Sequence, residues 1–244
     1  MNPRCSNQRN RAMTLMEVLV VVAVLVLLAV VLLPALIAAN RRPNTGSCAG
    51  NLKQIYVSFR VWADDHNGKY PMEISTAKGG TMELAATGDV VATFQVMSNE
   101  LFTPKVLVCP VDTQHVMTNS FGASLTAKNI SYFIGLDANT NRSQAFLSGD
   151  SNFAIGGVPV KSGLLELPAN SPVSWTSGRH TTYKRHFWNV ATSFGNVGLA
   201  DGSVQHAAIS IRTNLVERST GTVTTSLTSL LQATGLATNR LAIP

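Results

Sequence analysis

Charge is scarce in this chain. Asp, Glu, Lys and Arg make up 13% of its 244 residues, about half the roughly 25% of an ordinary globular domain. Gly, Asn, Ser and Thr supply most of the polarity, and a hydrophobic share of 45% excludes disorder as the whole answer. Also missing are a G-x-S-x-G elbow, a Walker loop and a dinucleotide fingerprint, so no catalytic constellation is readable and the chain is expected not to be an enzyme. Internal repeats and long linkers are absent, and the length fits one domain or two. The cysteines number three, an odd count that leaves one thiol over in an exported protein. A net charge of +6 invites a nucleic-acid reading only where Lys and Arg gather on one surface.

They are not spread evenly. Arg4, Arg9 and Arg11 precede Met13, and the 23 residues from Val18 to Asn40 carry no formal charge. At 1.5 Å per residue, about 20 helical residues span a hydrocarbon core of roughly 30 Å, so this run predicts a membrane-spanning helix. A secretory signal peptide has a shorter apolar region, and Pro34-Ala35-Leu36-Ile37-Ala38-Ala39-Asn40 offers no clean A-x-A cleavage site. An ordinary single-pass anchor has no use for Glu17, because a carboxylate at the head of an apolar helix asks for a partner or a shallow position. A cut after Ala12 would supply that partner: the new α-amino group of Met13 lies four residues before Glu17, on the same helical face or on that of a neighbouring chain.

Ala12-Met13-Thr14-Leu15-Met16-Glu17, after a basic leader and before an apolar helix, resembles the prepilin cleavage and methylation signature of type IV pilins and type II secretion pseudopilins. The resemblance implies cleavage between Ala12 and Met13 by a prepilin peptidase, N-methylation of Met13, and a role for Glu17 in subunit packing. The family usually has Gly before the cut and often Phe after it, where this chain has Ala12 and Met13. Pro34, the twenty-second residue from Met13, stands where pilins commonly carry a helix-distorting proline, and is counted with Glu17 as an assembly residue.

Beyond a polar interruption at Pro43-Asn44-Thr45-Gly46, Leu52, Ile55, Tyr56 and Phe59 recur at i, i+3, i+4 and i+7, the pattern of an amphipathic helix. Asn67-Gly68 supplies a left-handed stop and Pro71 prevents renewal. Residues 48–55 and 64–71 resemble type G-like pseudopilins, which implies an α+β, pilin-like fold. A long N-terminal helix, transmembrane in its first half, would pack on a small antiparallel sheet with loops. The expected divisions are a cytoplasmic basic leader (1–12), a transmembrane and filament-core helix (13–39), its amphipathic continuation (40–71), and an exported, mainly β head (72–244). The leader favours an N-terminus in the cytoplasm and a single-pass inner-membrane protein whose head faces outward, assembled into a periplasmic or surface filament.

In the head, Gly, Pro, Asn and Ser punctuate short apolar runs. Residues 131–137 and 146–150 read as strands ending in acidic turns, and 196–207 as a hairpin around Asp201-Gly202. Leu227, Leu230 and Leu231, with Gly235 as a stop, suggest a short helix in the tail. Many pilin-like tails carry a His nine residues before such an Asp-Gly; here Ala191 stands ten before Asp201, while His180 and His186 are displaced as if region 179–193 held an insertion.

Removing the leader also removes Cys5, leaving Cys48 and Cys109 to pair in an oxidising compartment or to stay as two buried thiols. Asp137-Ala138-Asn139-Thr140-Asn141 opens like a calcium loop, but Arg142 replaces its Gly and Ser148 its Glu, as in an ordinary polar loop. Some pseudopilins bind calcium in C-terminal loops, so Asp137, Asp150 and Asp201 are weighed as calcium candidates against turn and capping roles; no other cofactor is expected. His180, His186 and His206 fit no zinc spacing. Arg179, Lys184 and Arg185 with Tyr183, Phe187 and Trp188 form the one basic aromatic cluster.

The expected function is therefore structural: a subunit of a pseudopilus or type IV pilus-like filament acting in type II protein secretion. Its partners would be the prepilin peptidase/methyltransferase, other pilin-like subunits and the inner membrane. The alternative is a minor pilin whose head binds DNA or a surface through the cluster at 179–188, although nucleic acid is not the expected partner. Loss of residues 1–12 removes three arginines and leaves 16 basic against 13 acidic residues, or +3.

Overall fold

The i, i+3, i+7 face of Leu52, Ile55 and Phe59 is fully buried, together with Cys48, Trp62 and Ala63, while Lys53, Gln54, Val57 and Val61 are exposed. These residues belong to helix α2 (Thr45–Asp64), which follows α1 (Leu15–Asn40). The computed structural model describes residues 15–40, 45–176, 181–183, 191–208 and 226–244. It divides into two units, Met1–Pro43 and Asn44–Pro244.

Two expectations are corrected in the first unit. Among the described residues no helix is long and apolar enough to cross a membrane. The expected transmembrane first half at 13–39 of one long helix is therefore not borne out among the described residues. The single-pass inner-membrane placement falls with it. Helix α1 belongs to the first unit and α2 to the second.

In the second unit α2 ends as its sequence dictates. Asn67 and Gly68 adopt φ of 56° and 74°, and the Gly68 amide donates to the Ala63 carbonyl at 2.8 Å. Residues 71–129 then hold short helical turns instead of strands. These include α3 (Met82–Ala85), α4 (Val90–Val96) and α5 (Ser98–Leu101), with 3-10 turns at Pro71–Glu73 and Pro104–Leu107. At four residues each, α3 and α5 are too short to repeat a hydrophobic pattern, while α4 is held at its start by Asp89, which accepts from the amides of Val91 and Ala92 at 2.9 and 3.1 Å.

Glu83 on α3 accepts from the Ser75 hydroxyl at 2.6 Å and the Thr76 amide at 2.8 Å. These bonds favour the carboxylate and lower its pKa from an ordinary 4.5 to about 2. Because the folded value is depressed, the associated stability is present above pH 4.5 and is lost as pH falls through about 2. Glu83→Gln is expected to flatten the acid limb of the stability curve in that window, as measured by urea midpoints; an unchanged limb would show that the two bonds contribute nothing.

The strands begin with β1 (Tyr132–Gly135), β2 (Phe146–Asp150), β3 (Phe153–Ile155), β4 (Val158–Pro159), β5 (Gly163–Pro168) and β6 (Val173–Trp175). They continue with β7 (Thr181–Tyr183), β8 (Ala191–Leu199), β9 (Val204–Ala208), helix α6 (Leu227–Ala233) and β10 (Thr238–Ile243). The main sheet is antiparallel in the order β5-β10-β1-β2-β8-β7, with β9 also on β8, and a smaller sheet runs β4-β3-β6. The unit is α+β.

One sheet face receives α2: Leu52, Ile55 and Phe59 share a core with Tyr132, Ile134 and Leu147. The other face carries Phe133, Phe146, Val197 and Leu241, covered by Phe153, Trp175, Leu227, Leu230 and Leu231. Burial from both sides explains why β1 and β2 are buried at every position rather than at alternate ones.

Candidate assembly surface

A helix that is apolar all round belongs inside something. From Leu15 to Ala29 every described side chain of α1 is exposed, Leu15 at 81% and Met16 at 71%. Glu17 sits in the first turn as the acidic group of that stretch. Pro34 lies within α1, whose helical backbone continues to Asn40. Ala12 and Met13 lie outside the described residues.

The second unit carries the paired cysteines. Cys48 and Cys109 are joined in a disulfide, which ties the first turns of α2 to the segment after Pro104–Leu107. Asn51 reinforces the tie by donating from its side-chain amide to the Val108 carbonyl at 3.1 Å. Sequence reasoning missed the polar cluster beneath it. The Ser131 hydroxyl accepts from the Cys109 amide at 3.1 Å and donates to Asp112 Oδ2 at 2.6 Å, the same oxygen that His115 Nδ1 meets at 2.6 Å. Asp, His and Ser are the residue types of a hydrolytic triad, but the connectivity is different: serine and histidine both address the carboxylate, and Ser131 is fully buried. The cluster anchors the loop after the disulfide. Its members are 3 and 19 positions apart from Asp112, and no spacing pattern marks them.

The three calcium candidates are each engaged elsewhere. Asp137 pairs with Arg240: its Oδ1 accepts from Nε at 2.9 Å and Nη2 at 2.6 Å, and its Oδ2 from the Arg240 amide at 2.7 Å. Asp150, fully buried, accepts from the backbone and side-chain amides of Asn196 at 2.7 and 2.8 Å. Asp201 accepts from the Ser203 amide at 2.8 Å in the hairpin turn and from Gln144 at 3.3 Å. Among the described residues no group of three or more His, Cys, Asp or Glu side chains is placed to hold a metal ion.

The Asp201-Gly202 turn docks on α2. Gly202 has φ of 86°, and a Cβ there would run into the ring of Tyr56. Glycine is required twice over, by backbone conformation and by close approach. Of the basic aromatic cluster, Arg179, Lys184, Arg185, Phe187 and Trp188 lie outside the described residues, as do His180 and His186; Tyr183 ends β7, and His206 is exposed on β9.

A cleft of about 300 Å³ opens between the Pro71–Glu73 turn, α3 and the chain leaving β1. Its lining combines Met72, Met82 and Leu136 with the charged Glu73, Asp137, Arg142 and Arg240. No protein-family profile, curated protein or solved structure matches this chain.

Proposed function

We propose that the chain is a structural subunit of a pseudopilus or type IV pilus-like filament acting in type II protein secretion, cut between Ala12 and Met13 by a prepilin peptidase. The observation that carries the reading is the α1 stretch from Leu15 to Ala29, apolar on all sides and exposed, with Glu17 in its first turn. Such a surface is satisfied by lateral burial against the same helix of neighbouring subunits. In that packing the Glu17 carboxylate meets the methylated α-amino group of Met13, its own or a neighbour's, and each charge offsets part of the desolvation cost of the other.

N-terminal analysis of the protein isolated from its cells tests the reading. The expected product begins at N-methylated Met13; an intact leader, or a cut near Ala39, would remove the proposal. Glu17→Val is expected to leave the cut in place and to lower recovery of assembled filament at least tenfold. Wild-type yields of filament from this variant would show that the carboxylate has no part in packing.

A further inference from the structure

Phe102 is the most exposed large hydrophobic residue described in the second unit, at 90%. Leu101 before it and Pro104 two residues after it are buried. The backbone projects it deliberately: φ is 58° and ψ is −37°, and the Thr103 amide donates to the Leu101 carbonyl at 2.6 Å across it. A tight three-residue turn with positive φ is a strained conformation for a non-glycine residue. It persists because both flanks are fixed, Leu101 in the core and the Glu100 carbonyl on the Ser58 hydroxyl at 3.1 Å. An aromatic side chain held out in solvent by a fixed backbone is the anatomy of an interface anchor, since a ring with only two rotatable bonds buries a large apolar area at little ordering cost.

The same unit carries a recess that suits such an anchor. Buried Met72 and Leu136 form the floor of the cleft, and exposed Met82 and Arg142 lie at its margin. Its volume of about 300 Å³ is at the lower end of ligand-sized cavities, roughly 300 to 1,000 Å³. Thioethers make favourable contacts at aromatic ring edges, and among the described residues no carboxylate pairs with Arg142, so its guanidinium is available to the face of a ring. Asp137 and Arg240 neutralise one another at 2.6 Å, and the lining brings together two acidic and two basic groups, which suits an uncharged side chain.

We propose that Phe102 of one copy inserts into the Met72/Met82/Leu136 cleft of the next copy. The knob and the recess are different surfaces of the same unit, so the contact is heterologous. Each joined pair leaves one free Phe102 and one free cleft, and the contact repeats along an open assembly. The inference deepens the filament reading and rests on it, by naming the head-to-head contact that would accompany packing of α1.

The test uses the full chain with p-benzoylphenylalanine in place of Phe102, co-expressed with a second, differently tagged copy. Benzophenones react readily with methionine C–H groups. After irradiation, a cross-link carrying both tags is expected, joining residue 102 of one copy to Met72 or Met82 of the other. Ala86→Trp in the accepting copy, an exposed position on the cleft wall, is expected to lower that cross-link at least tenfold. No cross-link between copies, cross-linking elsewhere, or indifference to Ala86→Trp overturns the proposal. N-terminal analysis of the same sample separates the two readings. A Met13 terminus without the cross-link removes the head contact alone, whereas an uncut chain removes the filament reading as well.

Discussion

Replacing Cys48 and Cys109 by serine is expected to lower the stability of the second unit by about 4 kcal/mol. The bridge closes a loop with a sequence separation of 61, and the chain entropy withheld from the unfolded state by a loop of that length corresponds to about 4 kcal/mol at 25 °C. The effect is large because the disulfide spans non-local structure. It joins α2 to the segment that precedes β1, so the unfolded chain without it regains all the freedom between the two. Urea unfolding of the oxidised and reduced protein measures it as a shift in midpoint. A difference below about 1 kcal/mol would mean that the reduced chain keeps the same restriction by other contacts. The polar cluster of Asp112, His115 and Ser131 would then be the place to look, because it holds the Cys109 backbone through the Ser131 hydroxyl.

Phe59→Ala is expected to cost about 3 to 5 kcal/mol, the range for deleting a buried aromatic side chain from a core. Phe59 is fully buried, and its ring meets that of Tyr70 edge to face, with centroids 5.4 Å apart and planes at 73°. The core to which it belongs draws residues from α2, α4, the Pro104–Leu107 turn and β1, so a cavity left in it lies within close-packed structure and collapses poorly. Val57→Ala on the same helix, at a position 55% exposed, is expected to change stability by less than about 0.5 kcal/mol. The contrast tests which face of α2 is inside. Equal effects at the two positions would overturn the packing described for the helix.

Legibility in the sequence followed the range of the interaction. The α2 face could be read because Leu52, Ile55 and Phe59 repeat with the helical period, and its end because Asn67-Gly68 tolerates positive φ. The hairpin could be read from Asp201-Gly202, whose flanking residues pair as Gly198 with Val204 and Val197 with Gln205. The tail helix could be read from Leu227, Leu230 and Leu231, with Gly235 at φ of 70° beyond it. Helices α3 and α5 could not be read, because four residues make a single turn and cannot repeat a hydrophobic pattern, and residues 72–130 looked like strand and loop. The apolar run after Glu17 misled in another way: hydropathy reports that a helix needs covering but not what covers it, and among the described residues it does not amount to a membrane span.

The candidate surfaces divide in the same manner. Ala12, Met13 and Glu17 stand out in sequence because the chemistry of a cut and of a neighbouring carboxylate is local. Phe102 and the cleft do not. Nothing near Phe102 in the chain signals that Leu101 and Pro104 will be buried while it is exposed, and Met72, Leu136 and Arg240 come from distant segments. The aspartates illustrate the same point. Asp137 opens a calcium-like spacing, yet its partner, Arg240, is 103 positions away.

By itself the sequence determined the elements whose information lies within a few residues: the buried stripe of α2, the left-handed stops, the Asp201-Gly202 turn and the apolar character of α1. The tertiary structure alone decided what each element meets. It placed a second layer over the outer sheet face, so that β1 and β2 are buried on both sides. It required glycine at Gly135, where a Cβ would run into the Phe146 carbonyl oxygen, and for Cys48 and Cys109, a pair already named from the sequence, it decided for the bond over two buried thiols. The physical reason is that periodicity and turn chemistry act between neighbours along the chain. Burial, close backbone approach and charge pairing act between surfaces, and those exist only once segments far apart in sequence have been brought together.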